Sequence, residues 1–254
     1  MLSDRRTFLA LASATVATYL LPAVTQQFHA RPTRIKAVAF DALAIFDTRP
    51  VFALLNQFFP AQGVVLSNEW RTRQFESTWL RVAEKRYADF WQVTQDALRY
   101  AAQKTKVEVS AQQRDALMNA YLELKAWPDA LPALTRIKQS GYRLAFLSNF
   151  TPRMLDACIR SSSLQGLFEH ALSTDQAKTY KPDPAAYQLG VDALKLPKES
   201  ILFAAFAGWD AAGAKAFGYP TFWVNRLDQP AEEPAEVLDG QGSSLADLVR
   251  YLVR

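Results

Sequence analysis

Short apolar runs recur along the chain, separated by amphipathic stretches of about ten residues. Residues 35–40 read IKAVAF, 143–147 RLAFL, 201–205 ILFAA and 221–224 TFWV, with a weaker run at 171–173. These are too short for helices, and unbroken hydrophobicity marks strands covered on both faces. The stretches between them read as helices. Residues 130–140 stop at Gly141, and 152–161 and 184–194 each start on a proline. Residues 209–217 stop at Gly218, and a last helix spans 243–253 after a surface loop at 228–242. Strands alternating with helices in this way predict an α/β fold with a Rossmann-like parallel sheet.

Residues 49–125 break the alternation. They contain no convincing strand and read as four helices, at 50–58, 67–86, 89–104 and 110–124, with Ser67 and Ser110 as N-caps. The organisation expected is an α/β core from 31–48 and 126–254, interrupted after its first strand by an all-helical cap at 49–125.

The first thirty residues follow different rules. Arg5-Arg6 precede Thr7-Phe8-Leu9, and no charged residue follows until past Ala30. This resembles a twin-arginine export signal. The run is short for a membrane span and interrupted by Ser and Thr. The expectation is transient contact with the twin-arginine export machinery and a periplasmic mature chain, tethered to the membrane if the signal stays uncleaved.

Composition narrows the chemistry. The net charge is only +4, and no run of five or six basic residues exists, so nucleic acid is not an expected partner. One cysteine, Cys158, excludes an internal disulfide and a Cys-cluster zinc site. Two histidines, His29 and His170, leave little for a metal site or a Ser-His-Asp triad. Carboxylates, lysine, arginine, hydroxyls and amides must carry any reaction.

Such residues gather where an open parallel sheet binds ligands, beyond the carboxyl ends of its strands. Asp41 follows the first strand and Ser148-Asn149 the second. Lys181, within Tyr180-Lys181-Pro182-Asp183, comes after the third, and Asp210 after the fourth. Each alone has a structural explanation: a strand end, a turn, a surface lysine, a helix cap. All four at one edge, in strand order, point to a site.

This order resembles the haloacid dehalogenase superfamily from about residue 35 to 254, with the helical insert at its cap position. The closer resemblance is to the type II (S)-2-haloacid dehalogenase branch. It is carried by Glu69-Trp70-Arg71-Thr72-Arg73-Gln74-Phe75, Thr78-Trp79-Leu80-Arg81 and Arg86-Tyr87-Ala88-Asp89-Phe90 in the insert. In the core it is carried by Leu147-Ser148-Asn149, Tyr180-Lys181-Pro182-Asp183, Tyr187 and residues 209–215. The resemblance implies Asp41 as nucleophile, with Lys181, Asp210 and Ser148 completing the catalytic set. It implies Arg71, Asn149, Leu43, Phe75, Phe90, Tyr187 and Trp209 around a small 2-haloacid and its halide. It implies no metal and no cofactor, and relatives often form homodimers.

Phosphatases of the superfamily carry a second aspartate two residues after the nucleophile, as a general acid. Here that position is Leu43. A halide leaves without a proton, so the substitution permits dehalogenation and argues against phosphate chemistry. The family's Gly-Thr after the nucleophile is absent, and Ile45 stands in its place. Ala205 and Ala207 replace two polar residues before Asp210. From residues alone three readings stay open: a 2-haloacid dehalogenase, another hydrolase of the same fold acting on a small phosphate ester, and a non-catalytic ligand-binding module.

Overall fold

A computed structural model describes residues 35–233 and 236–253. The predicted export signal therefore lies outside the described residues. Six strands form one parallel sheet: β1 (Ala37–Phe40), β4 (Arg143–Ser148), β5 (His170–Ser173), β6 (Ile201–Ala205), β7 (Thr221–Val224) and β8 (Gly240–Gly242). Their order is β5-β4-β1-β6-β7-β8. The chain winds outward from β1 through β4 to β5, then returns to the other side of β1 through β6, β7 and β8. The switch point is the carboxyl end of β1.

Residue alternation explains why the strands look uniformly apolar. Val38, Phe40, Leu144, Phe146, Leu202 and Ala204 face one hydrophobic cluster. Ala37, Ala39, Ala145, Leu147, Ile201 and Phe203 face the other. The first cluster is closed by α6 (Ala130–Gln139), α7 (Pro152–Ser161) and α10 (Leu245–Leu252). The second is closed by α8 (Pro184–Leu194) and α9 (Gly208–Phe217).

After Asp41 the chain makes a single helical turn, α1 (Ala42–Ile45), and enters a two-residue strand β2 (Phe46–Asp47). β2 pairs antiparallel with β3 (Lys125–Ala126). That ribbon ties together the two ends of the helical insert, and neither strand was legible in the sequence. Between them lie α2 (Arg49–Phe58), α3 (Gly63–Ala83), α4 (Phe90–Thr105) and α5 (Ala111–Ala120).

Three sequence expectations need correction. Ser67 does not cap a helix: α3 starts four residues earlier, and the Ser67 hydroxyl donates to the Val64 carbonyl within it. Helix α5 ends at Ala120 rather than 124, though Ser110 caps its start in a reciprocal pair with Gln113. The expected loop at 228–242 contributes the edge strand β8, too glycine-rich to show a strand pattern.

Candidate active site

β1 is buried along its whole length and delivers Asp41 to the switch point. The Asp41 carboxylate caps α1, its Oδ1 accepting the Leu43 N–H at 2.9 Å. Its Oδ2 accepts from Lys181 Nζ at 2.7 Å. The same ammonium donates to Asp210 Oδ2 at 2.6 Å. One cation thus bridges two carboxylates from residues 29 and 140 positions away in sequence. Lys181 and Asp210 are shut off from solvent, while the Asp41 side chain is 12% exposed. Asp41 is the member of the cluster that opens toward a ligand.

Lys181 sits in a loop stitched to the end of β4. Its own N–H donates to Asn149 Oδ1 at 3.1 Å, and Thr174 Oγ1 donates to the same oxygen at 3.3 Å. Two donors fix that atom as the amide oxygen. The Asn149 NH₂ is therefore the half of the side chain left to donate into the cavity it lines. Asp183 then caps α8 by accepting the Ala185 N–H.

Burial sets the protonation states. Burial alone pulls the Lys181 ammonium down, but the carboxylates of Asp210 and Asp41 outweigh it and the net shift is upward. The two carboxylates thus favour the charged form of Lys181. Burial pushes the Asp210 carboxyl up to about 6, against the opposing pull of Lys181. Tyr187 donates to Asp210 Oδ1 at 2.7 Å, and burial beside that carboxylate pushes its phenol well above the ordinary range. Tyr219 in turn donates to the Tyr187 carbonyl.

A cavity of about 610 Å³ opens above Asp41. Its core wall carries Asp41, Leu43, Ser148, Asn149, Ala207, Trp209 and Asp210. Its cap wall carries Arg71, Phe75 and Phe90. Phe75 meets Phe90 and Trp209 with ring centres 6.4 and 5.5 Å apart, so one aromatic row spans both walls. Arg71 projects from α3, donates to Asn68 Oδ1 and lies 4.9 Å over the Phe52 ring. The cavity is thus an apolar chamber with a carboxylate at its floor and a guanidinium in its wall, suited to a small anion with an apolar tail.

Three expected residues sit differently from simple contact with a ligand. Tyr187 does not line the cavity; it is buried behind Asp210 and positions that carboxylate. Its place three residues into α8 points it at the core. The Ser148 hydroxyl lines the cavity but accepts the Phe150 N–H at 3.1 Å, and makes no hydrogen bond to Asp41 among the described residues. Lys181 lies beneath the floor, reaching the cavity only through its partners.

The wall also contains residues that sequence reasoning missed. Gln74, buried and donating to Thr94 Oγ1, and Tyr121 come from the insert. Asn225, Leu227 and Glu232 come from the loop after β7. That loop follows β7 at the same carboxyl edge, so applying to 221–224 the rule that found Asp41 and Asp210 was the signal that could have found it.

The profile of a family described as haloacid dehalogenase-like hydrolase matches residues 16–218. The (S)-2-haloacid dehalogenase of Pseudomonas sp. (strain YL) is 38% identical over 216 residues, covering 85% of this chain and 93% of that one. The crystal structure of the L-2-haloacid dehalogenase RSc1362 superposes with a TM-score of 0.86 at 39% identity, covering 87% of this chain and all of the other. The L-2-haloacid dehalogenase of Xanthobacter autotrophicus superposes at 0.80 with 32% identity, over 86% and 98% of the two chains. With its parallel sheet, its helical insert and Asp41 at the switch point, the chain belongs to the haloacid dehalogenase-like hydrolases.

Proposed function

We propose that this protein is an (S)-2-haloacid dehalogenase that hydrolyses short 2-haloalkanoates to (R)-2-hydroxy acids and halide. The observation that carries the reading is the Asp41–Lys181–Asp210 bridge beneath an aromatic chamber, with apolar Leu43 where a phosphatase would hold its acid.

Asp41 attacks C2 from the side opposite the halogen. A C–O bond forms as the C–halogen bond breaks, and the electron pair leaves with the halide. Lys181 Nζ holds one oxygen of the Asp41 carboxylate, and the Leu43 N–H aims the other. Holding the two reactants in line is worth about 7–11 kcal/mol in the best intramolecular cases. Arg71 and the Asn149 amide supply donors for the departing halide and the substrate carboxylate. Phe75, Phe90 and Trp209 keep water from the alkyl group. Water then adds to the carboxyl carbon of the Asp41 ester, giving up one proton to Asp210. The acyl C–O bond breaks, the product oxygen takes that proton back, and the water's second proton is released as Asp41 returns to a carboxylate. C2 is inverted once, in the first step, so the (S) substrate gives the (R) product.

The test is halide release from (S)-2-chloropropionate by the full chain with a chelator present, beside Asp41→Ala. Chelator-insensitive release that disappears in the variant supports the reading. Absence of release from folded wild-type protein sinks it.

We infer further that residues 1–30 direct twin-arginine export to the periplasm and that the mature chain forms homodimers. Arg5-Arg6 and the uncharged stretch after them support the first reading; the homodimers of the resembled branch support the second. Replacing both arginines with lysine should hold the protein in the cytoplasm on cell fractionation, and sedimentation of the exported protein should give twice the chain mass.

A further inference from the structure

All four side chains of α1, the turn that carries Asp41 into the chamber, are apolar: Ala42, Leu43, Ala44 and Ile45. None can anchor the turn by a side-chain hydrogen bond. One turn of helix is also too short to hold itself. Yet the Leu43 N–H must stay on Asp41 Oδ1 for the carboxylate to keep its aim.

The anchoring comes from elsewhere. Three consecutive carbonyls of this turn are held by two residues distant in sequence. Trp127 Nε1 donates to the Leu43 carbonyl at 3.2 Å, and the Trp127 backbone N–H donates to the Ile45 carbonyl at 2.9 Å. Between them, the Arg226 guanidinium donates to the Ala44 carbonyl from Nε at 3.2 Å and Nη2 at 3.1 Å. Arg226 is itself held in place. Its other contacts run to the two Asp129 oxygens at 2.9 and 3.3 Å, and its side chain is only 6% exposed. Asp129 also accepts the Leu245 N–H at 2.7 Å, locking it to the last helix. The Arg226 and Arg49 guanidiniums both lie over the Trp127 ring, 4.7 and 4.4 Å from its centre.

We propose that Arg226, seated on Asp129 and stacked on Trp127, is a positioning residue for the nucleophile. It makes no hydrogen bond to Asp41 and does not line the chamber. It fixes the turn whose N–H aims the Asp41 carboxylate, standing in for an anchor the turn's own side chains lack. The fork geometry matters: one planar guanidinium reaches the carbonyl and the carboxylate together, which a single ammonium does poorly. The proposal rests on the dehalogenase reading for its kinetic test alone.

The experiment uses the full chain with Arg226→Gln, Arg226→Lys and Trp127→Phe. The last keeps an aromatic ring near the two guanidiniums and the Trp127 backbone bond to Ile45, and removes the indole donor to the Leu43 carbonyl. Single-turnover alkylation of Asp41 by (S)-2-chloropropionate is followed by mass spectrometry, corrected for the folded fraction by near-ultraviolet circular dichroism. A misplacement of about 1 Å costs on the order of 100-fold. Arg226→Gln should therefore slow alkylation roughly 10- to 100-fold, with KM held within about twofold. Arg226→Lys should recover part of that loss, and Trp127→Phe should lose less than Arg226→Gln. Hydrogen exchange of the Leu43 amide, read by NMR without substrate, should accelerate in the same order. Wild-type alkylation per folded molecule in Arg226→Gln, or unchanged Leu43 protection, would overturn the proposal. Failure of the wild type to release halide would count against the dehalogenase reading, and Leu43 exchange would still decide the clamp.

Discussion

The floor and the cap wall of the chamber are built by opposite means. On the floor, Asp41, Lys181, Asp210, Tyr187 and Asn149 are joined by hydrogen bonds of 2.6 to 3.1 Å and are almost wholly buried. On the cap wall, the one cation among the described residues is Arg71, an exposed side chain held by an exposed Asn68 and the face of Phe52. The floor holds reacting atoms still in low dielectric, where each charge interaction is strong. The cap wall presents apolar area and one adjustable charge. The contrast teaches that chemistry and recognition are divided between the two sides, and that damage to each should read out differently.

The sharpest way to break the comparison is Lys181→Met. It leaves two buried carboxylates facing each other without their cation, a change that destabilises by about 3–5 kcal/mol in comparable buried pairs. Urea unfolding should show that loss together with complete loss of halide release. Adding Asp210→Asn should restore much of the stability and none of the activity. An equally large effect on stability from Arg71→Met would erase the distinction between floor and wall.

Asp210→Asn alone should separate the two chemical steps. Alkylation of Asp41 should proceed, while ester hydrolysis should slow by roughly 100- to 10,000-fold, the usual worth of a general base. Mass spectrometry should then find the esterified chain accumulating. An Asp210→Asn protein that turns over normally would remove Asp210 from the reaction.

Acidity gives a third test. An aspartate raised to about 6 by burial loses its charge as pH falls through that value. Ester hydrolysis should fall about tenfold for each unit below it, while hydrolysis above pH 7 stays flat. The sign for folding is the reverse. A raised carboxyl stabilises the fold fully below its ordinary pKa near 3.8, and that contribution is lost as pH rises through 6. Hydrolysis still at full rate at pH 4.5 would contradict the assigned environment.

The smallest effects belong to the cap wall. Arg71→Lys should raise KM for 2-chloropropionate more than it lowers kcat, since a lysine keeps charge and loses the planar fork. Phe75→Leu should shift preference among alkyl chain lengths by about 10-fold, the lower end of what a methylene is worth in an apolar pocket. Thermal unfolding should barely move for Arg71→Lys.

Much of the floor was legible in the sequence, because strand ends in a parallel sheet are marked by abrupt polar residues after buried runs. Asp41 after IKAVAF and Asp210 after ILFAA are such marks. What escaped was the direction of side chains and the pairing of distant loops. Tyr187 was read as a ligand contact, and only the rotation of α8 shows it facing Asp210 from behind. Ser67 had the composition of a cap but sits inside a longer helix, because α3 begins at Gly63, where only a residue without Cβ fits against Asn56. β2 and β3 are two residues each, below any periodic signal, and Arg226 carries no motif that names its partner.

The central claim is that Asp41 forms an ester with the substrate. It is tested most directly by a single turnover of (S)-2-chloropropionate in water enriched in heavy oxygen, with the enzyme in excess. The account predicts that the label enters the Asp41 carboxylate and that the first lactate formed carries none. Label in that first lactate, with Asp41 unlabelled, would mean that water attacks C2 directly and would contradict it.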